Sequence, residues 1–220
     1  MQQRIAVYGG TFDPIHQGHL RVAEAILDAF AIDRLLFVPA FVPPHKRHQE
    51  ISSQFHRWAM LTLATADRPK MFISSVELES PERPYTVETL SRLQAELKDS
   101  RLFFVMGVDS FQDVTMWYEH ERLLTEHDVI VATRPGYERD DRIVAHLSPN
   151  LQAHCIDLRK GKSPTSRDLA SKHIYLTDYV EMDISATRIR EAAQQNQPID
   201  QFVEPEVAAY IKKYQIYRKN

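Results

Sequence analysis

The first forty residues constrain the fold more than any other part of the chain. Arg4 to Gly10, RIAVYGG, is a β-branched and aromatic run that ends in two glycines, which predicts a buried strand. From Gly18 the apolar residues fall at Leu20, Ala23, Ile26, Leu27 and Phe30, a spacing that keeps one face of a helix apolar. Arg34 to Ala40, RLLFVPA, reads as a second buried strand closed by a proline. Strand, loop, helix and strand in that order predict a right-handed crossover between parallel strands.

The alternation continues. Helices are predicted over 55–66 and 87–97, and strands over Met71 to Glu77, Arg101 to Gly107 and Asp128 to Gly136. That order predicts an α/β fold, a doubly wound parallel sheet covered on both faces. Tyr137 to Ser171 is polar and reads as a solvated loop, with no role assigned to 158–171. After Asp183, ISATRIREAAQ begins a helix with Ser185 near its cap, and a last helix runs from about Glu206 to Tyr214. The expected organisation is one domain over 1–220, with a small C-terminal helical portion at about 184–220.

Composition narrows the function. The chain has 220 residues, a net charge of −3 and a single cysteine, Cys155. A nucleic-acid binder usually carries a basic field, so a small ligand is the better expectation. One cysteine builds no disulfide framework and reads as a small buried apolar residue. No stretch approaches the roughly 20 apolar residues that span a bilayer, and MQQRIAVYGG does not read as a signal peptide, so none is expected. The expectation is a cytoplasmic protein without membrane or nucleic-acid partners; a homo-oligomer stays open.

Three of the six glycines surround His16 and His19 in GGTFDPIHQGH. In a parallel sheet, ligands sit beyond the carboxyl ends of the strands, where this loop falls. Gly9 and Gly10 let an anion approach the backbone, and the next helix offers unpaired N–H groups and the positive end of its dipole. Two imidazoles there can donate to phosphate oxygens and stabilise charge that builds during transfer. The string is neither GxxxxGK[ST] nor GxGxxG, and H-x-x-H in a loop with no third ligand is a weak zinc signal.

GGTFDPIHQGHL resembles the signature of the nucleotidylyltransferase superfamily, and further pieces resemble its nicotinate-nucleotide adenylyltransferase family over nearly the full length. They are FVPPHK (Phe41 to Lys46), PYT (Pro84 to Thr86), GVDSF (Gly107 to Phe111) followed by Trp117 and Tyr118, ATRPG (Ala132 to Gly136) and ISATRIR (Ile184 to Arg190). The resemblance implies a Rossmann-like fold and transfer of the adenylyl group of ATP to nicotinate mononucleotide, with release of pyrophosphate. It implies no side-chain metal site, and Mg²⁺ that travels with ATP.

The same resemblance assigns residues. His16 and His19 would be catalytic and hold the ATP phosphates, and Gly9, Gly10, Thr11 and Phe12 would form a backbone bed for them. Core packing is the rival reading of Phe12. Gly107 and Asp109 would meet the adenosine. Ile184, Ser185 and Arg188 would face the leaving pyrophosphate. Lys46, Tyr85, Thr86, Trp117, Tyr118 and Arg134 would hold the mononucleotide, with Trp117 stacked on the pyridine ring. The family more often has Ser where Pro84 and Ala186 stand, so hydroxyl contacts from those positions are not expected. The alternatives are a sister transferase acting on another phosphate or alcohol, whose histidines would be the same, and a non-catalytic nucleotide sensor. VPPHK and GVD…WY argue against the first; His16, His19, Lys46, Ser185 and Arg188 together argue against the second.

Overall fold

The computed structural model describes residues 2–41, 51–79, 85–133, 141–180, 182 and 184–218. Its centre is a parallel sheet of strands β1 (Gln3–Gly10), β2 (Arg34–Pro39), β3 (Met71–Ile73), β4 (Ser100–Gly107), β5 (Asp128–Ala132), β6 (Cys155–Asp157) and β7 (Ile174–Thr177), in the order β3-β2-β1-β4-β5-β7-β6. The first crossover is the expected one: β1 pairs with β2 from Ile5↔Arg34 to Gly10↔Pro39. The chain moves outward from β1 to β3 and then returns to place β4 on the other side of β1. The strand order reverses between β1 and β4, and the crevice in which such sheets take ligands is expected at the carboxyl ends of these two strands.

Side chains alternate across the sheet and build two cores. Ala6, Tyr8, Phe37 and Phe103 pack on one face with Leu20, Ala23 and Ile26 of α1 (Gln17–Ala29), Met60 and Leu61 of α2 (Gln54–Thr65), and Val207 and Ile211 of α8 (Pro205–Tyr214). Ile5, Val7, Leu36 and Phe104 pack on the other. There they meet Leu90 and Leu93 of α3 (Thr86–Glu96), Phe111 of α4 (Val108–Gln112), Leu123 and Leu124 of α5 (His120–Glu126), and Leu151 of α6 (Pro149–Ala153). The remaining helix, α7 (Ala186–Gln194), buries Ile189 against the first core.

Three expectations are corrected. The strand expected over Met71 to Glu77 stops at Ile73, because the hydroxyl of Ser74 accepts from the Val76 N–H and turns the chain toward the second core. The strand expected to reach Gly136 ends at Ala132, and 134–136 lie outside the described residues. The supposed loop carries α6 and β6, and β7 follows it, inserted between β5 and β6. Strands of three and four residues give too little periodicity to stand out from polar surroundings. Cys155 sits in β6, half-buried; burial pushes its thiol up to about 11.

This late part of the sheet is tied down at the amino ends of β4 and β5. Arg101 donates to both carboxylate oxygens of Asp128 at 2.7 Å and also to the carbonyls of Leu169 and Ser171. The Asp128 carboxylate is fully enclosed, and the pair holds Arg101 above its ordinary range, chiefly through that hydrogen bond. Removing one partner of a buried pair leaves the other charge without compensation. Arg101→Met is therefore expected to destabilise by about 3 kcal/mol, read as a fall of roughly 6–12 °C in melting temperature for a chain this size. Activity below that temperature should match the parent, because the pair lies at the opposite end of the strands from the crevice.

Candidate active site

The loop after β1 is shaped by aromatic packing. Phe12 adopts a positive φ of 51° and folds its ring back beneath the strand end, 2% exposed. A Cβ on Gly10 would come within 2.8 Å of that ring, and one on Gly9 within 3.1 Å of Phe104 on the opposite face. The glycines are thus required for protein packing before any ligand arrives. Phe12 meets Tyr8, Phe37 and His19 edge-on at 5.6, 5.3 and 5.1 Å between centroids. Its side chain is core, so Phe12 can offer a ligand only its backbone.

His16 is the N-cap of α1 in an extended conformation, and His19 is the third helical residue. Their rings stack at 3.7 Å with planes 21° apart, and His19 also lies edge-on to Tyr8. Gly18 makes room for this. A Cβ there would sit 3.1 Å from the His16 ring and 3.7 Å from Cβ of Ile184, the residue before the N-cap of α7. A side chain at 18 would crowd the His16 ring, which would have to give by a few tenths of an ångström. The N-terminus of a 13-residue helix and that of a nine-residue helix therefore converge at Gly18, each bringing the positive end of its dipole.

The loop is braced from distant parts of the chain. The Asp13 carboxylate accepts from the Ser52 N–H at 3.0 Å and from the Tyr217 hydroxyl at 2.8 Å. Burial, then the Asp13 charge, drives that hydroxyl well above its usual range. Arg190 of α7 donates to the Asp13 carbonyl at 2.9 Å, and Gln17 N–H donates to the Phe202 carbonyl at 2.8 Å. Arg57 of α2, almost wholly buried, donates to the Thr11 carbonyl at 2.9 Å and to the carbonyls of Ser52 and Phe41 at 3.2 Å each. Burial lowers its guanidinium from the ordinary range, and Asp13 opposes that shift. Beside it, burial pushes the Glu77 carboxyl up to about 7, against a Thr89 hydroxyl bond, the Phe41 N–H and the Arg57 charge.

Asp13, Arg57, Arg190 and Tyr217 were missed from the sequence. Arg57 alone left a signal: it falls in line with Met60, Leu61 and Ala64 on the buried stripe of α2, where a charge is out of place. Ser185 caps α7 without a side-chain bond to its backbone, and Arg188 is exposed on the first turn. Arg190, two residues further along α7, donates to the loop at the Asp13 carbonyl.

The other predicted residues fall on the opposite face or at the crevice. Gly107 caps α4, with nothing within 4 Å of where its Cβ would be, and Asp109 is exposed on the first turn. Thr86 begins α3 after the N-cap Tyr85, whose ring stacks on Tyr118 at 4.3 Å. The half-buried Trp117 lies 6.5 Å edge-on to Phe104, the ring beneath Gly9. The strip Gly9, Phe104, Trp117 thus joins the loop after β1 to the Tyr85–Tyr118 pair's neighbourhood. Lys46 and Arg134, like Pro84, lie outside the described residues. Among the described residues no three His, Cys, Asp or Glu side chains gather as a metal site, and no helix is long and apolar enough to cross a membrane.

Comparison with known proteins agrees with this geometry. The cytidylyltransferase-like family model matches residues 7–192. A Geobacter sulfurreducens protein named "probable nicotinate-nucleotide adenylyltransferase" is 36% identical over 97% of this chain and 98% of its own. One of the same name from Corynebacterium jeikeium is 33% identical over 95% and 98%. The Plasmodium falciparum nicotinic acid mononucleotide adenylyltransferase, solved in complex with NaAD, superposes with a TM-score of 0.74 at 23% identity over 98% of this chain and 97% of that one, which establishes the shared fold. The chain belongs to the cytidylyltransferase-like family and, within it, to the nicotinate-nucleotide adenylyltransferases.

Proposed function

We propose that this protein joins the adenylyl group of ATP to nicotinate mononucleotide, forming nicotinate adenine dinucleotide and pyrophosphate in the cytoplasm. The observation that carries the reading is the stacked pair His16–His19 at the tip of α1, set against the residue that leads into α7. A phosphate oxygen of the mononucleotide attacks the α-phosphorus of ATP, and the bond to the β-phosphate breaks. The attacking phosphate is already ionised near neutral pH, so no general base is required. Catalysis consists of positioning and of neutralising charge on the transferring group.

His16 and His19 would donate to the α- and β-phosphates, with backbone N–H groups of the Gly9–Phe12 loop and α1 beside them. Ser185, Arg188 and the α7 tip would receive the leaving pyrophosphate. Gly107 and Asp109, at the crevice, would take the adenosine, where an exposed carboxylate can accept from ribose hydroxyls. Trp117 would lie against the pyridine ring, with backbone N–H groups at Thr86 and Tyr118 for its carboxylate. Lys46 and Arg134 are assigned to the mononucleotide from the resemblance alone. A Mg²⁺ ion that arrives on ATP would be held mainly by phosphate oxygens and water. When bound, it would supply additional neutralisation of phosphate charge.

Three measurements test this. Purified protein with ATP and Mg²⁺ is given nicotinate mononucleotide, nicotinamide mononucleotide or phosphopantetheine, and pyrophosphate is followed. The acid is expected to be the best substrate; the amide, which leaves carboxylate donors poorly matched, should lose roughly tenfold or more in kcat/KM. Release only with phosphopantetheine would point to the sister transferase, and release with none to a sensor. In the second, His19→Leu keeps the apolar packing against Tyr8 and Phe12 but removes the donor. A fall of about 10²-fold or more in kcat is expected, with a melting temperature close to the parent's. Near-parent turnover would refute the imidazole's role. Trp117→Ala should raise KM for the mononucleotide about tenfold and leave KM for ATP unchanged.

A further inference from the structure

Arg57 is the largest fully buried side chain of the protein's described residues that carries a charge, and no part of the proposed chemistry uses it. It sits on the apolar stripe of α2, where a methionine would serve packing as well. Burying a guanidinium is costly unless its donors are satisfied. Here they are satisfied by three carbonyls from three separate segments. Nη1 meets Thr11 in the loop after β1, Nη2 meets Phe41 just past β2, and Nε meets Ser52 just before α2. A planar fork with fixed donor directions sets the relative positions of three backbone groups, which a lysine ammonium cannot do.

The neighbours extend this arrangement. The Glu77 carboxyl lies beside the backbone of Phe41, whose carbonyl Arg57 holds. Asp13, two residues from Thr11, accepts from the N–H of Ser52, whose carbonyl Arg57 holds. The carbonyl of Phe41 and both polar groups of Ser52 are thereby fixed, and each residue is tied through Arg57 to the loop bearing His16.

We infer that Arg57 is a positioning residue: it sets the distance between the loop proposed to hold the ATP phosphates and Phe41 and Ser52, the described residues on either side of the sequence in which Lys46 stands. The inference rests on the proposed adenylyl transfer. The two ends of the clamp differ in what else holds them. The loop after β1 retains Ser52, Tyr217 and Arg190 on Asp13, and Phe202 on Gln17, when Arg57 is lost. Phe41 retains Glu77. Loss of Arg57 therefore displaces Phe41, which leads in the sequence to Lys46, more than it displaces the loop after β1.

The test is Arg57→Lys in the full chain, with initial rates over both substrates. KM for nicotinate mononucleotide should rise about tenfold or more and kcat should fall, while KM for ATP stays within about threefold. Val129→Ala, a core truncation in β5, is the control: it should lower the melting temperature and leave both KM values at the parent's. If Arg57→Lys does not fold, Glu77→Ala breaks the other hold on Phe41 and should shift the mononucleotide KM in the same direction by a smaller factor. A variant that melts lower but keeps the parent's KM values, or raises both equally, would overturn the positioning role. A parent protein inactive with every mononucleotide would instead overturn the reading on which the inference rests.

Discussion

The packing of the Phe12 ring beneath Gly10 fixes the loop on which the rest of the site depends. The ring turns back at a positive φ and lies edge-on to Tyr8, Phe37 and His19, so it anchors the strand end, the neighbouring strand and one imidazole at once. His16 then stacks on His19 because Gly18 has no side chain to prevent it. Each step uses apolar or aromatic contact to place polar atoms, and aromatic contacts have defined geometry as well as buried area. A donor held by a packed ring needs little reorganisation when an anion arrives.

The polar bonds that complete the loop come from far along the chain. Asp13 is held by Ser52, by Arg190 and by Tyr217, and Gln17 by Phe202. These partners lie in or beside α2, α7 and α8. The C-terminal helical portion is thus part of the site, and closing it requires contacts of long sequence separation. Because the groups are buried, a missing partner leaves a polar atom without water, and the brace is lost by more than one bond.

The fold was legible where the period was long enough to repeat. The run Arg4 to Gly10 and the stripe from Leu20 to Phe30 gave β1, α1 and the crossover. β6 and β7 were not legible, since three or four residues show no period and their neighbours are polar. In the site, the histidines stood out because glycines flanked them. The reason given for the glycines was incomplete: Gly9 and Gly10 accommodate aromatic rings, and Gly18 accommodates His16 and Ile184. Asp13 and Arg190 were within quoted strings yet unassigned, because a brace to a backbone carbonyl has no sequence pattern. Tyr217 could not be placed without knowing that the C-terminus returns to the β1 loop.

The two-fold alternation of a strand would let two substrates reach one bond in the proposed transfer. Gly9 and Gly10 are adjacent, so they face opposite sides of the sheet. Gly10 looks toward Phe12 and the imidazoles; Gly9 looks toward Phe104 and, through it, Trp117. Pockets built on the two faces would therefore be separated by little more than the strand end itself. A phosphate held on one side and a nucleotide's α-phosphorus held on the other would approach across the tip of β1, with helix termini rather than a base completing the surroundings. Direct in-line transfer asks for that separation and for donors that do not move, and Arg57, which ties the loop after β1 to the chain beyond β2, is the side chain best placed to keep it constant.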